Sequence, residues 1–391
     1  MQTRTPSTVI VVGSGIVGAG TAYFLAKRGV AVQLLDAAAP AAEATGAADG
    51  AVSVASKRPG PMMQAALAGV ALYRELAQAG LFADIFKTRS TFIIASSNEE
   101  CTVLTSHADA LAGAGVRVER LGAAMLRERF PALSSNAMMA VEVHDEGHAI
   151  GYQIVHRLLT ASGTLVSRRT PVEGLVTAPD GRRIVAIATP QGNIHADAVV
   201  IAAGNGSGKL LGLEQILTPR KGQLLITERA PALNAAMAGS IMSGRYLLSK
   251  GSQPAGNGKP ARGLGLVIDP LSTGQFLIGG TREDHGDRRT NDIDAVSHIL
   301  ADAVALVPEL AGVRLLRSFA GVRTAVADSL PLIGRVPGLE NAYVATGFEG
   351  DGICLGPITG KVMSELVCGE SPCIDIAPFD PARFPRLGVA A

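Results

Sequence analysis

The chain has 391 residues, a formal net charge of +1, 47% hydrophobic residues and 18% charged ones. Such a chain can bury a large core, which excludes disorder over most of its length, and its size favours two domains over one. No long run of one charge sign is present, so a nucleic-acid surface is not expected. The four cysteines, Cys101, Cys354, Cys368 and Cys373, form no Cys-x-x-Cys pair. They read as reduced thiols of a cytoplasmic protein rather than as zinc or iron–sulfur ligands.

Val9 to Ala26 is apolar, but Gly13, Gly15, Gly18 and Gly20 interrupt it and Lys27 and Arg28 follow at once. That order fits neither a secretory signal nor a spanning helix, and no other stretch is long enough to span a bilayer. Thr8 to Val12 is a β-branched run that reads as a buried parallel strand. Ala19 to Arg28 reads as a helix stopped at Gly29, and Val30 to Leu35 as a second strand closed by Asp36, which together make a βαβ unit. Met62 to Ala79 reads as a helix, Arg89 to Ser96 as a strand and Gly151 to Ala161 as a helix. Thr164 to Val176 contains strand. Further strands are expected at Ile184 to Thr189, Ile194 to Ala203, Gln223 to Thr227, Gln275 to Gly279 and Ala342 to Thr346. Helices are expected at Ile293 to Val307 and Pro357 to Val367. Gly251 to Arg262 reads as a surface loop, and the proline-bearing tail after Cys373 as an irregular arm.

The first forty residues carry the clearest chemistry. Gly13 permits a tight strand-to-helix turn, Gly15 lets a pyrophosphate approach the backbone, and Gly18 lets the helix pack on the strand. The helix N-terminus that follows Gly15, Ile16, Val17 and Gly18 offers free N–H groups and a partial positive charge to phosphates. Asp36, 23 positions after Gly13, stands where a carboxylate can accept hydrogen bonds from ribose hydroxyls, with Ala37 beside it. The elements appear in the register that a dinucleotide site requires. This pattern alone leaves NAD and FAD both open.

Glu43 to Ala51 is a run of small residues containing Thr45, Gly46, Ala48, Asp49 and Gly50. It resembles the second flavin-contact loop of the D-amino-acid oxidase superfamily, with Ala48-Asp49-Gly50 where that family has Asn or Ala followed by Ala-Gly. Pro171-Val172-Glu173-Gly174 is similar to the strand whose valine backbone contacts adenine. Asp197 to Gly204 resembles the strand that returns Ala203 and Gly204 to the cofactor. Gly321 to Thr324, Asp328 to Gly334 and Gly347 to Ile353 resemble the flavin-closing segment, with Gly356-Pro357 opening a helix. Ala48 to Met62 and Gly244-Arg245-Tyr246 resemble a narrower group within it. That group comprises the matching subunits of opine oxidase and hydrogen cyanide synthase, together with the catalytic subunit of D-hydroxyproline dehydrogenase.

The resemblance implies an α/β protein with a discontinuous Rossmann-type FAD-binding domain and a second, mixed α+β substrate domain. FAD-binding segments are expected at 6–80, 142–212 and 316–370, substrate-domain segments at 81–141 and 213–315, and a C-terminal arm at 371–391. The FAD set it implies is Gly13, Gly15, Ile16, Val17, Gly18, Asp36, Ala37, Thr45, Gly46, Ala48, Asp49, Gly50, Val172, Ala203, Gly204, Arg323, Gly347, Glu349, Gly350, Asp351, Gly352 and Ile353. The implied reaction removes a hydride from a carbon next to an amine nitrogen of a small amino or imino acid, leaving an imine. Arg323 is expected to grip the substrate carboxylate and Tyr246 to line the pocket, while Val267 stands where glycine oxidase has a pocket tyrosine. Partner redox subunits are implied, with the chain cytoplasmic or held at the inner membrane through them.

Several other residues are weighed against plainer roles. Lys57 and Arg58 read as a solvated turn, or as contacts to a second substrate carboxylate or a partner. Glu349 and Asp351 also read as solvent-facing loop acids. His144 and His148 have the H-x-x-x-H spacing, but Gly147 and a strand-like setting argue against a metal. Cys354 near the flavin edge reads as a buried thiol rather than as a covalent flavin link.

Overall fold

The computed structural model describes residues 5–249 and 262–384. Of the loop expected at Gly251 to Arg262, all but Arg262 lies outside the described residues. Two sheets organise the chain. A six-stranded sheet runs in the order Leu332–Arg335, Ala342–Thr346, Ala198–Ile201, Thr8–Val12, Ala31–Leu35, Val166–Ser167. Its strands are parallel except for the antiparallel edge at Leu332–Arg335. An eight-stranded sheet runs Leu315–Val326, Leu217–Thr227, Phe276–Arg282, Gly263–Pro270, Gly239–Ser243, Ser90–Ala95, Met139–Val143, Val118–Gly122. The six-stranded sheet therefore draws on three separated stretches of chain. The eight-stranded sheet is threaded between them, and Leu315–Val326 pairs along almost all of Leu217–Thr227 before the chain returns.

The opening unit follows from its residues. Val9 to Val12 are buried on both faces, as a parallel strand sandwiched by helices requires. The first helix spans Ile16–Lys27, three residues earlier than its helix-former content suggests, and Gly29 ends it with φ +75°. Its partner across the core is Gly352–Val367. The two helices cross so closely that a Cβ on Gly360 would lie 2.4 Å from the Gly20 carbonyl carbon.

The expectation that Gly356-Pro357 opens a helix is corrected here. The helix begins at Gly352, and Pro357 lies inside it. Proline cannot donate to the carbonyl four residues back, which orphans the Ile353 oxygen. Tyr73, from the helix Pro61–Gln78, donates its hydroxyl to that oxygen at 2.8 Å, so a side chain replaces the missing backbone donor. Val172 is likewise not within a strand: the strand begins at Gly174. The tail packs through short helical turns at Ala377–Phe379 and Pro381–Arg383, with Phe379 buried in the main core. Among the described residues no helix is long and apolar enough to cross a membrane.

Candidate active site

A cavity of about 650 Å³ lies between the two sheets. Val12, Leu35, Ala202 and Ala345 reach it from the carboxyl ends of the parallel strands, where open α/β sheets bind their ligands. The first wall is the turn into the first helix. Gly13 has φ +99°, and a Cβ there would meet the Ala202 oxygen at 2.5 Å. A Cβ on Gly18 would meet the Gly13 oxygen at 1.9 Å, so this glycine serves helix–strand packing and does not line the cavity. Gly15 does line it, and a Cβ there would meet only Thr45 Oγ1, at 3.2 Å. The backbone at Gly15 is therefore bare toward the cavity.

Ile16 and Val17 start the helix at the same wall. Thr45 Oγ1 accepts from the Ile16 N–H at 3.1 Å. Asp36 sits at the rim with Ala37. Its Oδ2 accepts from the Ser14 N–H and hydroxyl at 2.8 and 2.6 Å, and its Oδ1 from the Ala38 N–H at 2.8 Å. Each carboxylate oxygen can accept further bonds, so the aspartate both fixes the glycine turn and remains open to a ribose hydroxyl.

Ala48 and Asp49 line the cavity, whereas Gly46 and Gly50 do not. Those two glycines shape the loop. A Cβ on Gly46 would meet the Ala41 oxygen at 2.2 Å, and Gly50 has φ +93° beneath His148. His148 Nε2 lies 2.8 Å from the Asp49 oxygen, and burial pushes its pKa down to about 4, with the Arg89 charge adding to the effect. The next stretch is held by the buried Glu146, which accepts from the Val54 and Ala55 N–H groups at 2.5 and 2.8 Å and from the Ser53 hydroxyl at 2.8 Å. Val172, Ala203 and Gly204 reach the cavity from the remaining FAD-side segments.

Gly347, Glu349, Gly350, Asp351, Gly352 and Ile353 close the cavity, and the helix N-terminus at Gly352 points its first turn there. The two acids are not solvent-facing bystanders. Glu349 pairs with Arg220 at 3.0 Å and Asp351 with Lys57 at 2.5 Å. Lys57, read from sequence as a solvated turn, is buried at 5% exposure, while Arg58 is exposed. Cys354 is buried, and burial pushes its thiol pKa up to about 12, which keeps it neutral and unreactive.

The eight-stranded sheet forms the opposite wall. Arg323 lines the cavity, and its Nη1 donates to the Thr281 oxygen at 3.2 Å. Its guanidinium lies where a Cβ on Gly222 would stand 2.7 Å from Nη2, so the glycine makes room for it. Tyr246 also lines the cavity. Its ring lies over Gly265, and the Arg282 guanidinium sits 4.5 Å from the ring centroid. Val267 lines the same wall, on the strand face that also carries Gly265 and Asp269. Asp269, Ser240, Thr91 and Arg282 were missed by sequence reasoning. The one signal for Asp269 was an acid closing the apolar strand Gly263–Pro270.

His144 and His148 do not converge. His148 faces Asp49, while His144 lies with Glu119 and Glu142. That acidic pair is already bonded by the Arg129 guanidinium.

The family model described as "DAO: FAD dependent oxidoreductase" matches residues 8–366. The chain belongs to this family. It is an FAD-dependent oxidoreductase, and the bare Gly15 backbone, the helix starts at Ile16 and Gly352 and the cavity of about 650 Å³ suit that cofactor. Over 97% of its length the chain is 29% identical to a glycine oxidase of Pseudomonas putida, covering 99% of that protein. It is 34% identical to a glycine oxidase of Pseudomonas aeruginosa over 52% of its length, a match spanning half of that relative. Hydrogen cyanide synthase subunit HcnC of Pseudomonas protegens is 28% identical over 96% of both chains. The crystal structure of glycine oxidase from Geobacillus kaustophilus superimposes with a TM-score of 0.83 at 25% identity, covering 98% of this chain and 100% of that one.

Proposed function

We propose that this enzyme oxidises the C–N bond of an amino acid or secondary amine acid, of D-amino acid, D-hydroxyproline or opine type, to an imine. Arg323 carries the reading. A guanidinium on the sheet wall of the cavity suits bidentate pairing with a substrate carboxylate, which sets both distance and angle. Tyr246 and Val267 border the same space. Bound FAD supplies the two-electron acceptor for the substrate hydride. The protein's own part is to hold the carboxylate, exclude water and place the reacting carbon.

The FAD-binding segments are proposed at 6–80, 142–212 and 316–370, with the cofactor contacted by the residues lining the first wall and the closing loop. The substrate domain is proposed at 81–141 and 213–315. Similarity to HcnC, a named subunit, supports a catalytic role within a complex that holds partner redox subunits. Similarity to glycine oxidases supports the alternative, a stand-alone oxidase using oxygen.

Purified protein should be yellow, and its flavin should bleach when the right amino acid is added without oxygen. Replacing Arg323 by Ala should raise KM roughly 100-fold, the worth of a charge-assisted bidentate pair. A colourless protein that takes up no FAD would defeat the proposal, as would an Arg323→Ala enzyme with unaltered KM.

A further inference from the structure

The cavity has a second polar pole. Thr91, Ser240 and Asp269 lie in one row across three neighbouring strands of the eight-stranded sheet, all facing the cavity. Asp269 is fully buried. Its Oδ1 accepts from Arg89 Nη2 at 2.5 Å and from the Ser240 hydroxyl at 2.6 Å. Its Oδ2 is buried with no hydrogen-bond partner. A buried carboxylate oxygen that no protein group donates to costs free energy unless a donor arrives.

Asp49 lines the cavity from the flavin-contact loop and feels this pole. Its Oδ1 accepts only the Ala51 N–H at 3.2 Å. Burial holds its carboxyl above the usual range, and the charge of Asp269 pushes it further the same way. The Arg323 charge and His148 act in the opposite sense. Asp269 is matched by Arg89, whereas Asp49 forms no ion pair among the described residues. With both acids ionised, Asp49 therefore has no ion-pair partner among the described residues, and the Arg323 guanidinium on the sheet wall offsets its charge only in part.

We propose that Asp49 and Asp269 receive the substrate nitrogen and that Asp49 is the base that takes its proton. The inference rests on the amino-acid reading above. An amino acid arrives as a zwitterion, with its carboxylate suited to Arg323 and its ammonium to the two carboxyl groups. Hydride cannot leave the carbon while the nitrogen is an ammonium, because the departing pair must be replaced by a nitrogen lone pair. One N–H bond breaks and one O–H bond forms: ammonium and Asp49 carboxylate become amine and carboxylic acid, with no change in electrons. Asp269 acts through Asp49 by raising its proton affinity, and its Oδ2 accepts a remaining N–H. His148, neutral beside the Asp49 carbonyl, and Arg89, bonded to Asp269, complete the charged and titratable groups around the base. A base whose pKa is lifted toward the working pH is the one suited to this transfer.

The test follows anaerobic flavin bleaching across pH in wild type and Asp49→Asn. Wild type should lose kcat/KM on the acid side at a pH well below the amine's own pKa. Asp49→Asn should be slowed roughly 100-fold at pH 7 and recover as pH approaches the pKa of the free amine. Acetate, a carboxylate without nitrogen, should bind both proteins equally, read from the flavin absorbance change. A wild-type profile that inflects at the amine's own pKa would overturn the proposal even if the variant fails to fold. An unaltered profile in Asp49→Asn, or a matching loss of acetate binding, would also overturn it. A wild-type protein that binds FAD but bleaches with no amino acid would instead defeat the parent reading.

Discussion

The Lys57 ammonium lies 2.5 Å from the Asp351 carboxylate, tying the stretch after the flavin-contact loop to the start of the Gly352–Val367 helix. Burial, the largest single effect, would lower the Lys57 pKa, but the Asp351 charge and hydrogen bond, with Cys354 and Tyr246, together outweigh it and the net shift is upward. Removing the Asp351 carboxylate leaves the buried Lys57 ammonium without its counter-charge. Asp351→Asn should therefore cost about 3 kcal/mol in urea unfolding, and Lys57→Met less, because the Asp351 carboxylate is only half-buried. The double variant should recover at least half of the summed loss, because no lone charge remains. Purely additive losses would show that the pair does not couple the two segments.

Much of this arrangement was legible in the sequence, and the reasons differ by residue. The Thr8 to Asp36 unit could be read because its turn, helix and strands are local and obey fixed periods. Lys57 could not. Its partner is 294 residues away, and a lysine before Pro59-Gly60-Pro61 looks like any exposed turn until the fold closes over it. Asp269 was hidden for the same reason: its meaning depends on Arg89, 180 residues distant. The start of the Gly352 helix was misplaced because Pro357 resembles a first-turn proline, and only Tyr73 supplying a bond to the Ile353 oxygen makes an interior proline tolerable.

The glycines of the first turn should separate folding from cofactor binding. A Cβ on Gly18 would stand 1.9 Å from the Gly13 oxygen, a backbone atom that cannot give way. Gly18→Ala should therefore yield little soluble, folded protein. At Gly15 the added methyl meets only a threonine hydroxyl, at 3.2 Å. Gly15→Ala should fold with near wild-type circular dichroism yet hold FAD at least tenfold more weakly, since the methyl enters the space a pyrophosphate would use. Equal FAD affinity in Gly15→Ala and wild type would move the pyrophosphate elsewhere.

His148 should make stability depend on pH in a defined window. Its folded pKa is depressed to about 4 by burial and by the Arg89 charge, below the usual value of 6.5. The unfolded chain therefore takes up a proton first as pH falls. The resulting loss of stability begins near pH 6.5, grows to about 3 kcal/mol, and levels off below pH 4, where the folded form is also protonated. Above about pH 7.5 the group contributes almost no pH dependence. Urea midpoints of wild type and His148→Gln should run parallel above about pH 7.5 and then diverge, the wild type falling more steeply between about pH 6.5 and 4. Gln keeps a donor for the Asp49 carbonyl but cannot titrate, so the difference between the two curves isolates the imidazole. Parallel curves across the whole range would place the burial penalty on some other group.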